Sequence, residues 1–364
     1  MTGGSPFLAR DGLTESRPQH YKTKFTGSGG EYFRIWIVNM FLTILTLGIY
    51  AAWAKVRTRQ YFYAHTKLAG QSFDYTANPF ALLRGNLIIG GGLFLYFFAE
   101  IYNPVYSGLV LMVFYLIVPF LVYKSLRFFA HNSAFRNIRF HFLGSLRESY
   151  KTYFLLPLLI PLTLGLIVPY WVFCRKKYFF DNFSFGTTTN SFQGRPRSFY
   201  KVYALGSLMF FLAAVLAGLG LYITFPLIKS ASTSDPGTVS RAATFMIPLF
   251  MYLIFLVFFA FAQQYIYARL TNYCWGQTSL GNVSFQSTLQ VRRLLWIKLT
   301  NILAILLSLG LLIPWAKVRR VRYIFDNLTV ITAESLDDFT AKVEPEVSAF
   351  GEAATDFFDI EIGL

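Results

Sequence analysis

The chain has 364 residues, of which 55% are hydrophobic, 19% aromatic and only 14% charged, with a mean hydropathy of +0.46. A soluble domain carries about 25% charged residues, so this composition argues against a soluble enzyme and for an integral membrane protein. The net charge of +15 is unevenly spread: from Glu334 onward there are nine acids and one base, Lys342, while the first 333 residues hold 32 bases and nine acids.

Residues 1–24 are polar, contain Gly and Pro, lack the apolar core of a signal peptide and read as a disordered cytoplasmic tail. A single membrane domain, 25–333, follows. Its first apolar unit, 32–54, is succeeded at once by Lys55, Arg57 and Arg59, then by an alternating stretch around Ala69-Gly70 that predicts a short β-hairpin. The second unit reads as two helices, about 82–101 and 105–123, joined at Tyr102-Asn103-Pro104 with no base. A third unit, 153–173, is short and is followed by Arg175, Lys176 and Lys177. The fourth again reads as two helices, about 202–225 and 244–267, and the fifth, 294–316, is short and precedes Lys317, Arg319, Arg320 and Arg322. Further short β-segments are predicted near Phe140, Phe185, Val283 and Leu328, and Lys22 to Gly27 resembles the exit strand of such a hairpin. The acidic segment 334–364 reads as a cytoplasmic tail that folds back on the protein's own basic face or serves as a docking peptide.

The three short units share a cassette. Each has a Leu-Thr/Ser-Leu-Gly run centred on Gly48, Gly165 or Gly310, with Thr46, Thr163 or Ser308 two residues before the glycine and Tyr61, Tyr178 or Tyr323 thirteen after it. Spacing kept in three places argues for a repeated structural unit. Bases cluster after the first short unit and on both sides of the third and fifth units, whereas the connections inside the second and fourth units are poor in bases. If each short unit crossed the membrane once, basic segments would alternate between compartments against the positive-inside bias. The conflict vanishes if each enters and leaves on the cytoplasmic side, with the Gly break satisfied by the hydroxyl and lining a cavity. The expected fold class is therefore an α-helical polytopic membrane protein with internal repeats: four spans plus three re-entrant helical hairpins, with seven single spans as the alternative, and short cytoplasmic β-hairpins.

The run from Phe25-x-Gly27 through Asn39, Thr46-Leu47-Gly48-Ile49-Tyr50, Trp53, Lys55 and Arg57 to Tyr61 resembles the opening of the uncharacterised bacterial membrane-protein family typified by YjgN, and the acidic close, 351–364, resembles that family's end. The resemblance covers about 22–364 and implies a polytopic inner-membrane protein; it implies no activity. The middle cassette departs from the pattern, with Val172 and Cys174 in place of the bases and Leu156 where Asn39 and Asn301 stand.

No metal-ligand pair, phosphate loop or nucleophile elbow occurs, so neither an enzyme nor a cofactor is expected. Cys174 and Cys274 form no framework. Two functions remain in view. One is a transporter or channel-like protein for an anionic or lipid-like substrate, lined by Asn39, Thr46, Gly48, Thr163, Gly165, Asn301, Ser308 and Gly310, with the bases as contacts for anions or lipid heads. The other is a non-transporting scaffold or lipid-interacting protein, anchored at the interface by Trp53, Trp171 and Trp315 and tied together by one cytoplasmic sheet. The expected partners are membrane lipids with anionic headgroups; nucleic acid is not expected, because the bases flank apolar spans and form no basic domain. Oligomeric state is not legible.

Overall fold

Helical hairpins alternate with short strands along the whole chain, and the computed structural model describes residues 18–234 and 238–342, the side chains at 227–245, 247, 338, 341 and 342 apart. Strands β1 (Gln19–Lys22) and β2 (Lys24–Phe25) lead into α1 (Gly29–Leu45) and α2 (Ala51–Ala64). Next come β3 (Thr66–Leu68), β4 (Gln71–Tyr75), α3 (Pro79–Tyr102) and α4 (Pro104–His131). Strands β5 (Ser133–Phe135) and β6 (Ile138–Phe142) precede α5 (Leu146–Tyr150), a π-turn at Lys151–Leu155, α6 (Leu156–Leu162) and α7 (Val168–Asp181). The pattern repeats through β7 (Phe183–Phe185), β8 (Thr188–Phe192), α8 (Pro196–Ser234) and α9 (Thr238–Gly276). It repeats once more through β9 (Thr278–Leu280), β10 (Val283–Ser287), α10 (Val291–Leu307) and α11 (Ile313–Asp326), and closes with β11 (Leu328–Thr332) and α12 (Leu336–Lys342).

All eleven strands join one antiparallel sheet in the order β1-β11-β10-β9-β8-β7-β6-β5-β4-β3-β2. Its two ends are consecutive in sequence. β1 pairs with β11 from Gln19↔Thr332 to Lys22↔Thr329, and β2 pairs with β3 through Lys24↔Lys67 and Phe25↔Thr66. Between them, Thr23 N–H donates to Leu328 O at 3.1 Å. The 19–25 stretch therefore bridges both edges and brings the sheet to a nearly closed barrel, leaving little of the unpaired edge that an open sheet exposes. This corrects the expected fold: the chain is not a purely α-helical membrane protein with scattered β-hairpins. The reason is non-local pairing. Each strand has two to five residues; the sequence reads them as separate hairpins, or as one tying sheet in the scaffold reading, and does not reveal that each pairs across a helical hairpin with the next until the sheet nearly closes. β1 and α12 also fall inside stretches that read as tails from sequence, and β2 falls where an exit strand is expected; 1–17 and 343–364 lie outside the described residues.

Four helices are long and apolar enough to cross a membrane among the described residues: Pro79–Tyr102, Pro104–His131, Pro196–Pro226 and Pro248–Gly276. The first, at 24 residues, is roughly 36 Å long at about 1.5 Å per residue. Asn78 and Asn103 cap α3 and α4, each accepting a hydrogen bond from the backbone two residues on, with Pro at the first helical position. The three cassette units instead reverse on themselves, so both arms of each end at neighbouring strands. Ser28 and Ser145 start two of them, accepting from Glu31 N–H and Glu148 N–H. Every helical hairpin packs on the next, and α11 packs on α1, completing a ring of five.

Candidate functional site

The cassette tips are built alike. Leu47 (φ 50°) and Gly48 (φ 93°), Leu164 (49°) and Gly165 (82°), and Leu309 (50°) and Gly310 (92°) turn the chain through the left-handed region, where glycine is favoured at the second place. In the first tip Thr46 Oγ1 donates to Leu42 O at 2.7 Å and accepts from Tyr50 N–H at 2.9 Å, and Gly48 N–H reaches back to Thr43 O at 2.8 Å. Thr163 and Ser308 repeat the acceptance, from Ile167 N–H at 3.4 Å and Leu312 N–H at 3.1 Å. The hydroxyl thus satisfies one of the amides that a helix start leaves free. At the apex, Leu47, Leu164 and Leu309 are 95%, 92% and 94% exposed. A Cβ at Gly48 or Gly165 would meet nothing within 4 Å. The glycines therefore sit at apolar tips, away from any wall.

Below the tips the two arms are tied by polar contacts. Asn39 Nδ2 donates to Ala54 O at 3.5 Å and Asn301 Nδ2 to Ala316 O at 3.0 Å, each spanning its hairpin. The third hairpin adds Arg319, which donates to Asn301 Oδ1 and Thr300 Oγ1. In the first, the buried Asn39 Oδ1 has no protein partner, and Arg57 lies over the Tyr50 ring instead. Leu156 occupies the middle hairpin's asparagine position, and there the Trp171 indole N–H crosses the hairpin to Thr152 O, a carbonyl within the π-turn. Trp53 and Trp315 stand one place earlier in the cassette and face outward seams, against Phe80 of α3 and Phe33 of α1.

At the base, the tyrosine thirteen residues past each glycine locks the hairpin to its own entry. Tyr61 OH donates to Ser28 O at 2.8 Å, Tyr178 OH donates to Ser145 O at 3.1 Å, and Tyr323 OH accepts from Gln290 N–H at 2.9 Å. Burial pushes the Tyr61 phenol up to about 12 and that of Tyr178 higher still, so both remain protonated donors at neutral pH. After four of the five helices that return to the sheet, the next side chain bonds a carbonyl four back: His65 to Tyr61 O, Asn132 to Phe128 O, Asn182 to Tyr178 O and Asn327 to Tyr323 O.

The bases are shared between packing and solvent. Burial, with Arg59 nearby, pulls Lys55 below the usual lysine range; Arg59 itself donates to Tyr75 OH at 2.6 Å. Arg175 lies 4.8 Å from the Trp171 ring and Arg320 5.3 Å from that of Tyr267. Lys317 donates to Tyr32 OH and Arg322 to Gly27 O, both across the seam between the last and first hairpins. Arg57, Arg175, Lys176, Lys177, Arg319 and Arg320 are exposed.

A second feature was not legible in the sequence. The barrel interior holds an apolar chamber of about 340 Å³, at the small end of the roughly 300–1,000 Å³ typical of ligand pockets. The third residue of each strand that follows a helix faces it: Leu68, Phe135, Phe185, Leu280 and Val330. On the returning strands Phe73, Phe140 and Phe285 hold one repeated place, which Thr23 and Asn190 fill in the other two repeats. Five helix ends roof it with an aromatic each, Tyr63, Phe129, Phe180, Trp275 and Phe325. α12 lies across the opposite, turn-bearing end, where Leu336 and Phe339 enter the lining. The signal in the sequence was an aromatic or aliphatic residue at fixed places in five short segments, visible only once their pairing is known. Among the described residues no group of three or more His, Cys, Asp or Glu could hold a metal ion.

Four apolar helices and a ring of hairpins with uncovered leucine tips define a membrane protein. The model of a bacterial protein family of unknown function, DUF898, matches residues 20–357, and the chain belongs to that family. It is 35% identical over 157 residues to inner membrane protein YjgN of Salmonella typhimurium, covering 42% of this chain and 39% of the relative. To YjgN of Escherichia coli K12 it is 33% identical over 147 residues, 39% of this chain and 36% of the relative. The chain thus matches about two-fifths of the length of these curated relatives. No solved structure matches.

Proposed function

We propose that the chain is a multi-pass inner-membrane protein that handles a lipid-like anion at the cytoplasmic leaflet, with the barrel and both ends of the chain on the cytoplasmic side. The observation that carries this reading is the triplet of hairpin tips. Gly48 stands seven residues, roughly 10 Å of helix, from Lys55, and its apex leucine is 95% exposed. A hydrocarbon leaflet is about 15 Å deep. Tips of this length immerse in one leaflet while Lys55, Arg57, Lys176, Lys177, Lys317 and Arg320 stay level with its phosphates. Trp53, Trp171 and Trp315 lie between, at the depth interfacial indoles favour. The name of the YjgN relatives supports the inner membrane.

Three leaflet-deep hairpins between two spanning pairs thin the protein locally, and that is a geometry suited to drawing one lipid out of a monolayer. Reconstitution in vesicles carrying a fluorescent anionic phospholipid, with lipidomics of deletion and overexpression strains, tests it. Movement or extraction of the anionic lipid, weaker for a neutral one, is the expected result. Unchanged lipid distribution in both assays removes the reading and leaves the alternative, a non-transporting membrane scaffold, which the unbroken ring of helix contacts favours.

A further inference from the structure

We infer that the barrel chamber is a binding site for one acyl chain bearing an anionic head, and that α12 occupies it as an internal mimic of that ligand. The inference takes its ligand class from the lipid-handling reading and adds a site to it. The chamber is lined almost entirely by carbon, and its five aromatic roof residues sit on the last turns of the membrane-facing helices. At the other end α12 presents two kinds of group together. Leu336 and Phe339 enter the chamber, the latter stacked on Phe185 with ring centres 6.3 Å apart. Asp337 beside them places its carboxylate 2.5 Å from Arg136 Nη1, and the same guanidinium donates to Thr340 Oγ1 at 3.0 Å. Apolar groups in the mouth with a carboxylate on an arginine outside it are the recognition elements of a fatty acid or an acidic phospholipid.

Arg136 is fixed for this role. It occupies the β5–β6 turn with Asn137, both in the left-handed region (φ 52° and 63°), and its side chain is 20% exposed against 83% for Asp337. The other β-hairpin turns place Ala69-Gly70, Gly186 and Gly281 at the same end, so among the described residues no other hairpin turn offers a guanidinium there. When α12 leaves, Arg136 keeps a charge that an anionic head can take over with a charge-assisted hydrogen bond. Asn190 then supplies the one amide within the lining, at the place Phe73, Phe140 and Phe285 hold in other repeats.

The test uses the full chain in nanodiscs with two photoreactive probes, a diazirine fatty acid and a diazirine phosphatidylglycerol, followed by peptide mapping. Strand peptides carrying Phe135 and Phe285 should be labelled. Label from the free acid alone identifies a water-borne ligand, and label from the phospholipid alone identifies a membrane one; both support the site. Across a chain-length series the apparent affinity should tighten about fourfold per methylene until the chamber fills, from roughly 0.8 kcal/mol per buried CH₂. Asn190→Phe, the residue other repeats carry, should cut labelling roughly fifteenfold by displacing about two methylenes. Should it not fold, Leu280→Phe, matching Phe135 and Phe185, makes the same test. Arg136→Gln should weaken the acid about tenfold relative to the corresponding alcohol, whereas the pair Leu336→Ala, Phe339→Ala should raise labelling by both. Label confined to helix peptides and indifferent to Asn190→Phe overturns the inference. A labelled chamber without lipid movement removes the transport reading alone; lipid movement with an unlabelled chamber removes this site alone.

Discussion

Gly29 and Gly30 open α1 side by side, and substituting each with alanine tests whether the ring of hairpins closes. A Cβ on Gly29 would lie 2.2 Å from Trp315 Cδ1 and 2.7 Å from Cγ, atoms of the last helical hairpin, whereas a Cβ on Gly30 would meet nothing within 4 Å. Both positions are helical, so both gain up to about 1 kcal/mol from alanine's smaller conformational entropy. Gly29→Ala must in addition displace an indole already packed against Phe33 at 5.0 Å, an overpacking cost of about 1–3 kcal/mol. The two variants should therefore differ by about 1–3 kcal/mol. With an unfolding entropy near 2.1 cal/mol/K per residue, that is on the order of 1–4 °C between their Tm values in detergent. Trp315→Leu should remove most of the difference, because the coupling belongs to the contact. Equal Tm values for Gly29→Ala and Gly30→Ala would show that α11 does not pack on α1, and the closed ring would go with it.

Tyr61→Phe and Tyr178→Phe each delete the hydroxyl tying a hairpin to its entry carbonyl; each should lose about 1 kcal/mol, read as a lower unfolding midpoint, while Tyr323→Phe should lose no more, because water reaches the exposed Gln290 N–H that it leaves. No loss in any of the three would remove the base clamp. Leu47→Asp, Leu164→Asp and Leu309→Asp leave the folded contacts intact, since these side chains are more than nine-tenths exposed; they should lower membrane retention or lipid quenching of a tip fluorophore, and unchanged quenching would place the tips in water. Thr46→Val should destabilise by about 1–3 kcal/mol through the orphaned Tyr50 N–H, with Val at position 43 as the milder control, because Thr43 Oγ1 only adds a second bond to an i−4 carbonyl.

What the sequence revealed and what it hid divide along the range of the interactions. The hairpin break was legible because it is local: a hydroxyl, a leucine and a glycine within three residues specify the left-handed turn by themselves. The recurrence of tyrosine at thirteen was legible as spacing, but its purpose depends on Ser28, Ser145 and Gln290, each about 33 residues away. Trp171 looked equivalent to Trp53 and Trp315, yet stands one place later and turns inward, because Leu156 cannot span its hairpin as Asn39 and Asn301 do. The barrel was hidden most thoroughly. Three-residue strands such as Ser133–Phe135 carry almost no period-two signal, and their partners lie across whole helical hairpins. Asn190 offers no sign in sequence that it replaces a phenylalanine, since only the register Asn190↔Leu280, beside Phe73↔Phe135 and Phe140↔Phe185, aligns them.

The closing strand admits the most direct test, because its register is specific. His20 and Ile331 are paired across the β1–β11 seam. Directly opposed antiparallel residues have Cα atoms about 4.5–5.5 Å apart whichever pair type they form, inside the roughly 4.4–6.8 Å that a disulfide accepts. Cysteines at both positions, with Cys174 and Cys274 replaced by serine, should oxidise to an intramolecular bridge under mild catalysis. Moving one partner to Thr329 keeps the same strand face but shifts it two residues, roughly 6.8 Å along the strand, which takes the pair beyond about 7 Å and should stop the reaction. Since the two strands are over 300 residues apart in the chain, efficient bridging at 20/331 with none at 20/329 requires the ends of the protein to meet in this register. Equal yields at both pairs, or bridges only between molecules, would mean an open sheet, and an open sheet cannot enclose the chamber that Asn190, Leu280 and α12 help to line.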